Sequence, residues 1–420
     1  MLDKNKLYLQ IKKNAQKLFS DFTQEFDLAK KKWQEISCDI NFKNKVEFSH
    51  ASFLTPTWLG NLNDKFKIDN KIFNYSILSV DGSQVYPDRN ISGANCCLIN
   101  IGSCLIKYNN TGSSVKIGSE PLLFLLDDLF EHAIPSKDPG SSDLVDLKRE
   151  ELELLNLLNI TLEQNIDIAF VDGTVIFWFL ESKPEEVKNL FLNLYLNILQ
   201  KFYDQKKIIA GFISFPKSKE LINLIKIGLC KYDYADCIAC YKIYNNKAFD
   251  KVDSTTQQAA ALTTNAPFAL SEVEGVAISK NAQPCMLVDN LIDTKILRNF
   301  LNINERTTVF FSNSKIVDSY PDYLKPCFFY LNAGVEIVRI ETFKYIAQDE
   351  KLINLIASVA LDQINKGLGY PVTLAQAHEA AVVKGPDREF FYNLLQKEAL
   401  DQSRRLIYSQ KSIKKRGTGV

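Results

Sequence analysis

The sequence predicts an α/β protein in which a mixed sheet is flanked by helices, with further helical elements at both ends of the chain. Residues 73–80 and 166–171 are short runs rich in branched and aromatic side chains, as buried strands are. Residues 143–159 and 185–202 repeat apolar side chains at the spacing of an amphipathic helix. Because strands and helices alternate along the chain, a sheet covered by helices is the expected arrangement.

The composition supports a folded globular protein. The 420 residues carry 50 basic and 50 acidic side chains, and 46% of them are hydrophobic, which excludes a largely disordered or fibrous chain. No apolar run approaches the roughly 18 residues of a membrane span, and the first residues lack the apolar core of a signal peptide. We therefore expect a cytoplasmic protein with no membrane partner. Its 9 cysteines, an odd number at irregular spacing, are expected to be reduced thiols.

Four regions are predicted along the chain. They are an N-terminal helical region (1–70), the first part of an α/β core (71–253), an inserted loop (254–284) and the second part of that core with C-terminal helices (285–420). The inserted loop is predicted because its small and polar residues show no sustained apolar period. The N-terminal region begins with an amphipathic helix over residues 1–35.

Local patterns predict the elements of the core in order. The first strand ends in a turn at Asp81-Gly82-Ser83, residues 95–108 form two strands joined around Gly102, and residues 119–133 form a helix. The later elements are a helix over 143–159, a strand over 166–171, a helix over 185–202, a strand over 207–216, a helix over 218–228, strands over 307–311 and 328–341, and helices over 349–366, 371–382 and 386–403.

Two carboxylates form the first candidate site. Asp81 and Asp172 each follow a predicted core strand and each precede a glycine. Ligand sites of open α/β sheets lie at the carboxyl ends of strands. Two carboxylates on adjacent strands would repel each other unless a cation lay between them, so the pattern indicates Mg²⁺ or Mn²⁺. The alternative is a pair of ordinary Asp-Gly turns.

A glutamate adds to this candidate site. On a helix over 143–159, five leucines make one apolar stripe, and Glu151 falls in its middle. A glutamate on a buried face is costly unless it is paired or bound to a cation. Glu150 lies at the border of the stripe and Glu153 lies nearly opposite, so both are interpreted as solvated. The alternative is a helix face misjudged by one residue.

The order of these residues suggests phosphoryl transfer. Strand-Asp, hairpin, helix-Glu, strand-Asp is the order in which RNase H-like folds assemble carboxylates around two metal ions, an inference from fold analogy. Near the C-terminus, Tyr370 and His378 lie eight residues apart in KGLGYPVTLAQAHEAAVV, where both can face one side of a helix that begins at Pro371. This pair could contact a metal or a phosphate, although a lone helical histidine is more often structural.

Other motifs are weaker or missing. Cys237 and Cys240 form C-I-A-C, with Cys230 nearby, but zinc sites need four ligands and no second pair at similar spacing appears. We therefore do not expect a zinc site. The sequence also holds no GxxxxGK[ST] loop for driving a motor with ATP and no GxSxG nucleophile elbow.

Several segments together resemble the NurA family, and they occur in the order found in that family. These segments are SVDGSQVYPDRN (79–90), FVDGT (170–174), AGFISFPKSKELINLIK (210–226), CFFYLNAGVEIVRIE (327–341) and DQINKGLGYPVTLAQAHEAAVV (362–383). The resemblance implies an RNase H-like DNA repair nuclease that uses Mn²⁺, with Mg²⁺ as a possible substitute. It further implies 5′ to 3′ exonuclease and single-strand endonuclease activity on DNA, a homodimer, and work with a HerA-type hexameric translocase in resecting double-strand ends.

The resemblance also assigns site residues. Asp81 and Asp172 match the family's acidic residues, and Tyr370 and His378 match its Tyr and His. The acidic residue between them is assigned to Glu151 because of its place in the leucine stripe. Glu150 and Glu153 are the alternatives for that position. The metal ligands are then Asp81, Glu151, Asp172 and His378, with Tyr370 positioning the phosphate. Two alternatives stay open, which are a non-catalytic adaptor of the translocase and an RNase H-like enzyme acting on RNA or hybrids.

Overall fold

The fold is taken from a computed structural model, which describes residues 2–18, 22–69, 72–87, 91–92, 95–126, 142–242, 283–404 and 406–408. The predicted insertion at 254–284 therefore lies almost wholly outside the described residues, as does the C-terminal part of the predicted helix over 119–133.

Helices account for much of the described chain, at both ends and between the strands. The α-helices are α1 (Lys4–Leu18), α2 (Thr23–Cys38), α3 (Phe42–Glu47), α4 (Ser142–Glu163), α5 (Glu185–Asp204), α6 (Glu220–Leu229), α7 (Asp293–Phe300), α8 (Lys344–Ala347), α9 (Glu350–Lys366), α10 (Val372–Ala381) and α11 (Gly385–Asp401). Short 3₁₀ helices span Trp178–Ser182, Pro284–Val288, Lys315–Ser319 and Asp322–Leu324.

The strands vary from short bridges to segments of 14 residues. They are β1 (Thr57–Trp58), β2 (Lys65–Lys67), β3 (Tyr75–Val85), β4 (Ile91–Ser92), β5 (Cys96–Asn109), β6 (Gly112–Leu125), β7 (Ile168–Asp172), β8 (Ile208–Ile213), β9 (Glu305–Thr307), β10 (Phe310–Phe311), β11 (Pro326–Asn332), β12 (Ile337–Phe343) and β13 (Ile407–Tyr408).

The chain folds into two compact units. Residues 1–64 and 216–300 form the first unit, and residues 65–215 and 301–420 form the second. These units divide the chain at different points from the predicted regions, because residues 216–300 pack with the N-terminal segment. In the first unit, the indole of Trp33 on α2 is buried and meets Phe300 edge-on at 5.8 Å between ring centroids. No helix among the described residues has the length and apolar character that crossing a membrane requires.

The second unit is built on a mixed sheet, as predicted. Its strands follow the order β6-β5-β3-β7-β8-β12-β11-β10. The three central strands β3, β7 and β8 run parallel, whereas β5 and β6 on one side and β12 and β11 on the other pair antiparallel. A parallel centre has to be covered on both faces.

Apolar clusters cover both faces of this sheet. One cluster joins Leu78 and Val80 of β3 to leucines of α4 and aromatic residues of α5 such as Phe191. The other joins Ile77 of β3 to α9 and α10, where Ala377 is fully buried. Successive residues of β3 therefore face opposite clusters, as the alternation of a strand requires.

Three local predictions were wrong. β3 does not end at Asp81 but continues to Val85, residues 95–108 form one strand rather than a hairpin, and residues 119–125 belong to β6 rather than to a helix. The reason is pairing, because β5 has partners along its whole length, with β3 on one side and β6 on the other. Cross-strand pairing overrides local propensity in such a sheet. In addition, the single predicted N-terminal helix is two helices, α1 and α2.

Candidate active site

Asp81 lies in the middle of β3, directly opposite Gly102 of β5. A Cβ atom on Gly102 would lie 2.3 Å from the backbone nitrogen of Ala381 and 2.4 Å from the carbonyl oxygen of Ala377, both on α10. Only glycine allows so close an approach. The sequence at 102 therefore allows α10 to lie against the strand beside Asp81.

This packing brings His378 of α10 to Asp81. Nδ1 of His378 lies 2.7 Å from Oδ2 of Asp81, so the imidazole donates to the carboxylate when its proton is on Nδ1. The Asp81 side chain is 16% exposed and that of His378 is 58% exposed. The pair therefore joins a sheltered carboxylate to a histidine that reaches solvent.

Polar side chains of the sheet hold the end of α10. The hydroxyl of Ser83 donates to the carbonyl of Ala381 at 2.5 Å, and Nδ2 of Asn100 donates to the same oxygen at 2.7 Å. The amide of Val383 in turn donates to the Ser83 hydroxyl at 3.0 Å. Carbonyls at a helix C-terminus lack partners within the helix, and these contacts satisfy one of them.

The start of α10 depends on its glycines. Gly369 has φ of +123°, and a Cβ on Gly367 would lie 1.8 Å from the carbonyl oxygen of Tyr370. Gln363 of α9 is fully buried, and its Oε1 accepts hydrogen bonds from the amide and the hydroxyl of Thr373 at 3.2 Å each. The GLGYP segment thus makes a tight turn and leads into a helix whose first residues are fixed.

Asp172 is the last residue of β7. Val80 pairs with Val171, so the next residues along the two strands, Asp81 and Asp172, stand at the same level on neighbouring parallel strands. Neighbouring strands lie about 4.8 Å apart. The two carboxylates therefore lie on neighbouring strands, although only Asp172 ends a strand.

Tyr370 donates a hydrogen bond to the Asp172 carboxylate. The pKa of Asp172 is raised, first because the surrounding protein removes water from the carboxylate and also because of the charge on Asp81, although the hydrogen bond from Tyr370 lowers it. Burial and the Asp172 charge raise the pKa of Tyr370, so this hydroxyl keeps its proton. The Tyr370 ring meets Phe212 of β8 edge-on, with centroids 5.6 Å apart.

The segment after Asp172 is held by a glutamate that the sequence analysis missed. Glu341 of β12 is fully buried, and its Oε2 accepts hydrogen bonds from the Thr174 hydroxyl at 2.6 Å and the Val175 amide at 3.0 Å. Nε of Arg339 donates to the other oxygen of Glu341 at 2.8 Å. Both residues lie in the quoted segment CFFYLNAGVEIVRIE, two positions apart and so on one face of the strand, but no role was assigned to them.

Glutamates of α4 differ from the prediction in their surroundings. Glu151 pairs with Lys148 at 2.9 Å and lies between the buried Leu147 and Leu154, within the predicted apolar stripe. Glu153 forms an ion pair with Arg149, and a Cβ on Gly82 would lie 2.5 Å from its Oε1. The interpretation of Glu150 and Glu153 as solvated was wrong, since both are partly buried and the Glu153 side chain is only 13% exposed.

The charge of Asp81 affects the pKa values of Glu150 and Glu153. Burial raises the pKa of Glu150 and raises that of Glu153 well above its ordinary value, and the Asp81 carboxylate raises both further, whereas Arg149 lowers them. Mutual repulsion among carboxylates is the condition that a bound cation relieves. The donor set of oxygens with one imidazole suits Mn²⁺ or Mg²⁺. Among the described residues, no three such side chains already surround one point as a closed coordination shell does.

Comparisons with known proteins identify the family. A family model described as the NurA domain matches residues 75–383, nearly three quarters of the chain. A comparison with curated protein sequences gives no match.

The chain is similar to several solved structures. The crystal structure of the NurA nuclease from Sulfolobus solfataricus is 12% identical with a TM-score of 0.49, and the match covers 96% of this chain and 98% of that one. A NurA structure bound to dAMP and manganese is 13% identical with a TM-score of 0.30, covering 84% and 90%. A NurA structure with manganese is 13% identical with a TM-score of 0.31, covering 87% and 95%. On the match of the family model to residues 75–383, this chain belongs to the NurA family.

Proposed function

We propose that the chain is a metal-dependent deoxyribonuclease that hydrolyses phosphodiester bonds. The observation that carries this is the pairing of Asp81 with His378 at 2.7 Å beside Asp172 and Tyr370, on two neighbouring strands and one helix. Membership of the NurA family supports the same chemistry. The activity is proposed to be 5′ to 3′ exonuclease and single-strand endonuclease.

The strand order supports an RNase H-like core. β3 lies at the junction between an antiparallel β5-β6 pair and the parallel strands β7 and β8. In such a core the first strand, the helix after the hairpin and the fourth strand each supply a carboxylate. We assign β3, α4 and β7 to these positions.

Mn²⁺ is the proposed cofactor, with Mg²⁺ as a substitute, and manganese is present in two of the similar NurA structures. When bound, the metal supplies an activated water and stabilises charge on the scissile phosphate. In this proposal Asp81 and Asp172 hold the ion with His378 beside it. The Tyr370 hydroxyl, which donates to Asp172, would donate to a phosphate oxygen of the substrate.

We propose that Glu153, with Glu150 beside it, fills the middle acidic position instead of Glu151. Glu153 adjoins Gly82, the residue after Asp81, whereas the partner of Glu151 is Lys148. The raised pKa of Glu153 indicates a carboxylate that gains from a nearby cation. Removal of its charge should therefore weaken metal binding.

The proposed biological setting is DNA double-strand break repair. The sequence holds no GxxxxGK[ST] motif, so an ATP-driven motor would come from a partner, which the family resemblance identifies as a HerA-type hexameric translocase. The same resemblance suggests a homodimer. Single-stranded and double-stranded DNA ends are the proposed substrates.

The deciding experiment measures degradation of DNA labelled at its 5′ or 3′ end, with Mn²⁺, Mg²⁺ or EDTA. Asp81→Asn should abolish cleavage while the circular dichroism spectrum stays that of the wild type. Asp322→Asn, which removes an exposed carboxylate elsewhere in the second unit, is the matched control and should cleave normally. Full activity of Asp81→Asn would contradict the proposed site.

Two alternatives are outcomes of the same experiment. A wild-type protein that cleaves no DNA with Mn²⁺, even with the translocase present, would point to a non-catalytic adaptor. Cleavage of RNA or an RNA–DNA hybrid in preference to DNA would point to an RNase H-like enzyme with a different substrate.

A further inference from the structure

Four of the nine cysteines line a single cavity in the first unit. Cys230, Cys237, Cys240 and Cys285 surround a space of about 590 Å³, together with Phe53, Lys226 and Met286. The four cysteines are not contiguous in sequence, since Cys285 is 45 residues from Cys240. Each of the four thiols is partly buried, whereas Cys38 of the same unit is exposed.

The fold holds these four thiols in place from three directions. Cys230 directly follows α6, and its amide donates to the carbonyl of Ile227 at 3.1 Å. Cys285 lies on the 3₁₀ helix Pro284–Val288, next to Asp289, which forms an ion pair with the buried Lys226 of α6. The end of α6 and the 3₁₀ helix are therefore fixed to each other close to the cavity.

The C-I-A-C segment is also anchored. Its first cysteine begins a helical turn, and the carboxylate of Asp236 accepts the amide of Ala239 at 2.9 Å, as a capping residue does. The amide of Cys237 donates to the carbonyl of His50 at 3.2 Å. Two cysteines separated by two residues at the start of a helical turn are a common arrangement of thiolate metal ligands.

We infer that Cys230, Cys237, Cys240 and Cys285 form a four-thiolate site for a soft metal centre, zinc in the first instance. The sequence alone argued against zinc because it lacked a second pair of cysteines, and the fold removes that objection by bringing Cys285 beside Cys230. Tetrahedral coordination by four sulfurs is typical of zinc or an iron–sulfur centre. This inference does not depend on the proposed nuclease activity.

The electrostatics agree with a cationic centre. Burial raises the pKa of Cys285 to about 11, the charges of Cys230, Cys237 and Cys240 contribute to this increase, and Lys226 opposes it. Four thiolates so placed would repel one another without a metal. The thiols do not already surround one point in the described structure, so the side chains rotate towards the ion when it binds, each sulfur ending about 2.3 Å from it.

The test is elemental analysis of the full-length protein purified without chelators. About one zinc per chain is expected in the wild type and in Cys38→Ser, the matched control, and at least a fivefold lower content in Cys240→Ser and Cys285→Ser. Iron with visible absorption, lost in the same two variants, would support the site with an iron–sulfur centre. Zinc contents that are equal in all four proteins, or no metal above the buffer, would overturn it.

A second measurement uses only the wild-type protein, so it tests the site even if the variants fail to fold. Wild-type protein is alkylated with and without a zinc chelator, and peptide mass spectrometry then identifies the modified thiols. Protection of all four cysteines that disappears with the chelator would support the site. Alkylation of Cys237 and Cys240 in protein that has not been treated with the chelator would overturn it.

Discussion

Gly102 is the direct cross-strand partner of Asp81, and it is the residue over which the backbone of α10 passes. Within this cross-strand pair, Asp81 supplies the carboxylate and Gly102 leaves the space for α10, the helix that carries His378. Because Gly102 has no Cβ atom, α10 lies close enough to the strand for His378 to reach Asp81.

Gly102→Ala should displace α10 and lengthen the contact between His378 and Asp81. Because the new methyl meets rigid backbone, we expect a loss of about 1–3 kcal/mol in the free energy of unfolding and about a hundredfold loss of nuclease activity. Urea unfolding and the labelled DNA assay measure the two effects. Gly385→Ala, where a Cβ meets nothing within 4 Å, is the control. Equal activity of the two variants would contradict the steric argument.

The α4 glutamates can be separated by three substitutions. Glu153→Gln should reduce activity at limiting Mn²⁺ by at least about tenfold, whereas Glu151→Gln should stay near the wild type, since its partner is Lys148. Glu150→Gln should fall between them. Activity is measured against Mn²⁺ concentration, so that weaker metal binding appears as a shift of the curve. A large loss in Glu151→Gln alone would restore the original assignment from the leucine stripe.

Tyr370→Phe removes the hydrogen bond to Asp172 and keeps the aromatic contact with Phe212. We expect a folded protein whose activity falls about 10- to 100-fold, because the carboxylate loses the group that orients it. Tyr323→Phe, which removes a hydroxyl bonded to Gln200, is the control for loss of a tyrosine hydroxyl. An active Tyr370→Phe variant would show that this hydroxyl has no role in cleavage.

Asp172→Asn should be more stable than the wild type in EDTA at neutral pH. The pKa of Asp172 is raised in the folded state, so the folded protein favours the protonated carboxyl. The contribution of this carboxyl to the free energy of unfolding is therefore complete only below the unfolded pKa, near pH 4, and is lost as pH rises through the folded pKa. The advantage of the variant should therefore vanish below about pH 4. Thermal unfolding with EDTA or Mn²⁺ tests this, and Mn²⁺ should raise the Tm of the wild type alone. An Asp172→Asn variant that is less stable at pH 8 would contradict the sign.

Gln363→Met should weaken the support of α10. The buried amide donates to the hydroxyls of Tyr75 at 2.9 Å and Tyr108 at 3.1 Å and accepts from Thr373. Methionine has a similar volume but removes these buried hydrogen bonds, which costs about 1–3 kcal/mol. We expect lower activity together with a lower urea midpoint, and an unchanged midpoint in the exposed control Gln348→Met. An unchanged Gln363→Met variant would remove Gln363 as a positioning residue.

Apolar periodicity predicted the helices well, since α5 and α9 lie where their patterns indicated. It could not predict β6, because the apolar run at 122–126 becomes a strand only through its pairing with β5. The same limit explains the α4 glutamates. A stripe identifies one buried face, but it does not show that Arg149 and Glu153 are enclosed beside Gly82, further along the face of β3 that packs on α4.

The buried partners of the site were beyond sequence reasoning for another reason. Glu341 accepts a hydrogen bond from Thr174, 167 residues away in the chain, and Gln363 donates to Tyr75, 288 residues away. A lone polar residue within an apolar strand or helix signals a buried partner, but it does not say which one. Asp81, Asp172, Tyr370 and His378 could be proposed from the sequence because short motifs with their own spacing surround each of them.

The continuation of β3 beyond Asp81 affects how a metal would bind. Since residues on both sides of Asp81 are paired in the ladder with β5, its backbone has one conformation before any ion arrives. The conformational entropy lost in ordering this ligand is therefore lost during folding, and binding has to order only side chains. A substitution that frays the β3–β5 ladder would leave the backbone of Asp81 disordered until the metal binds. Binding would then have to order this backbone as well, so metal affinity would fall although no ligand is changed.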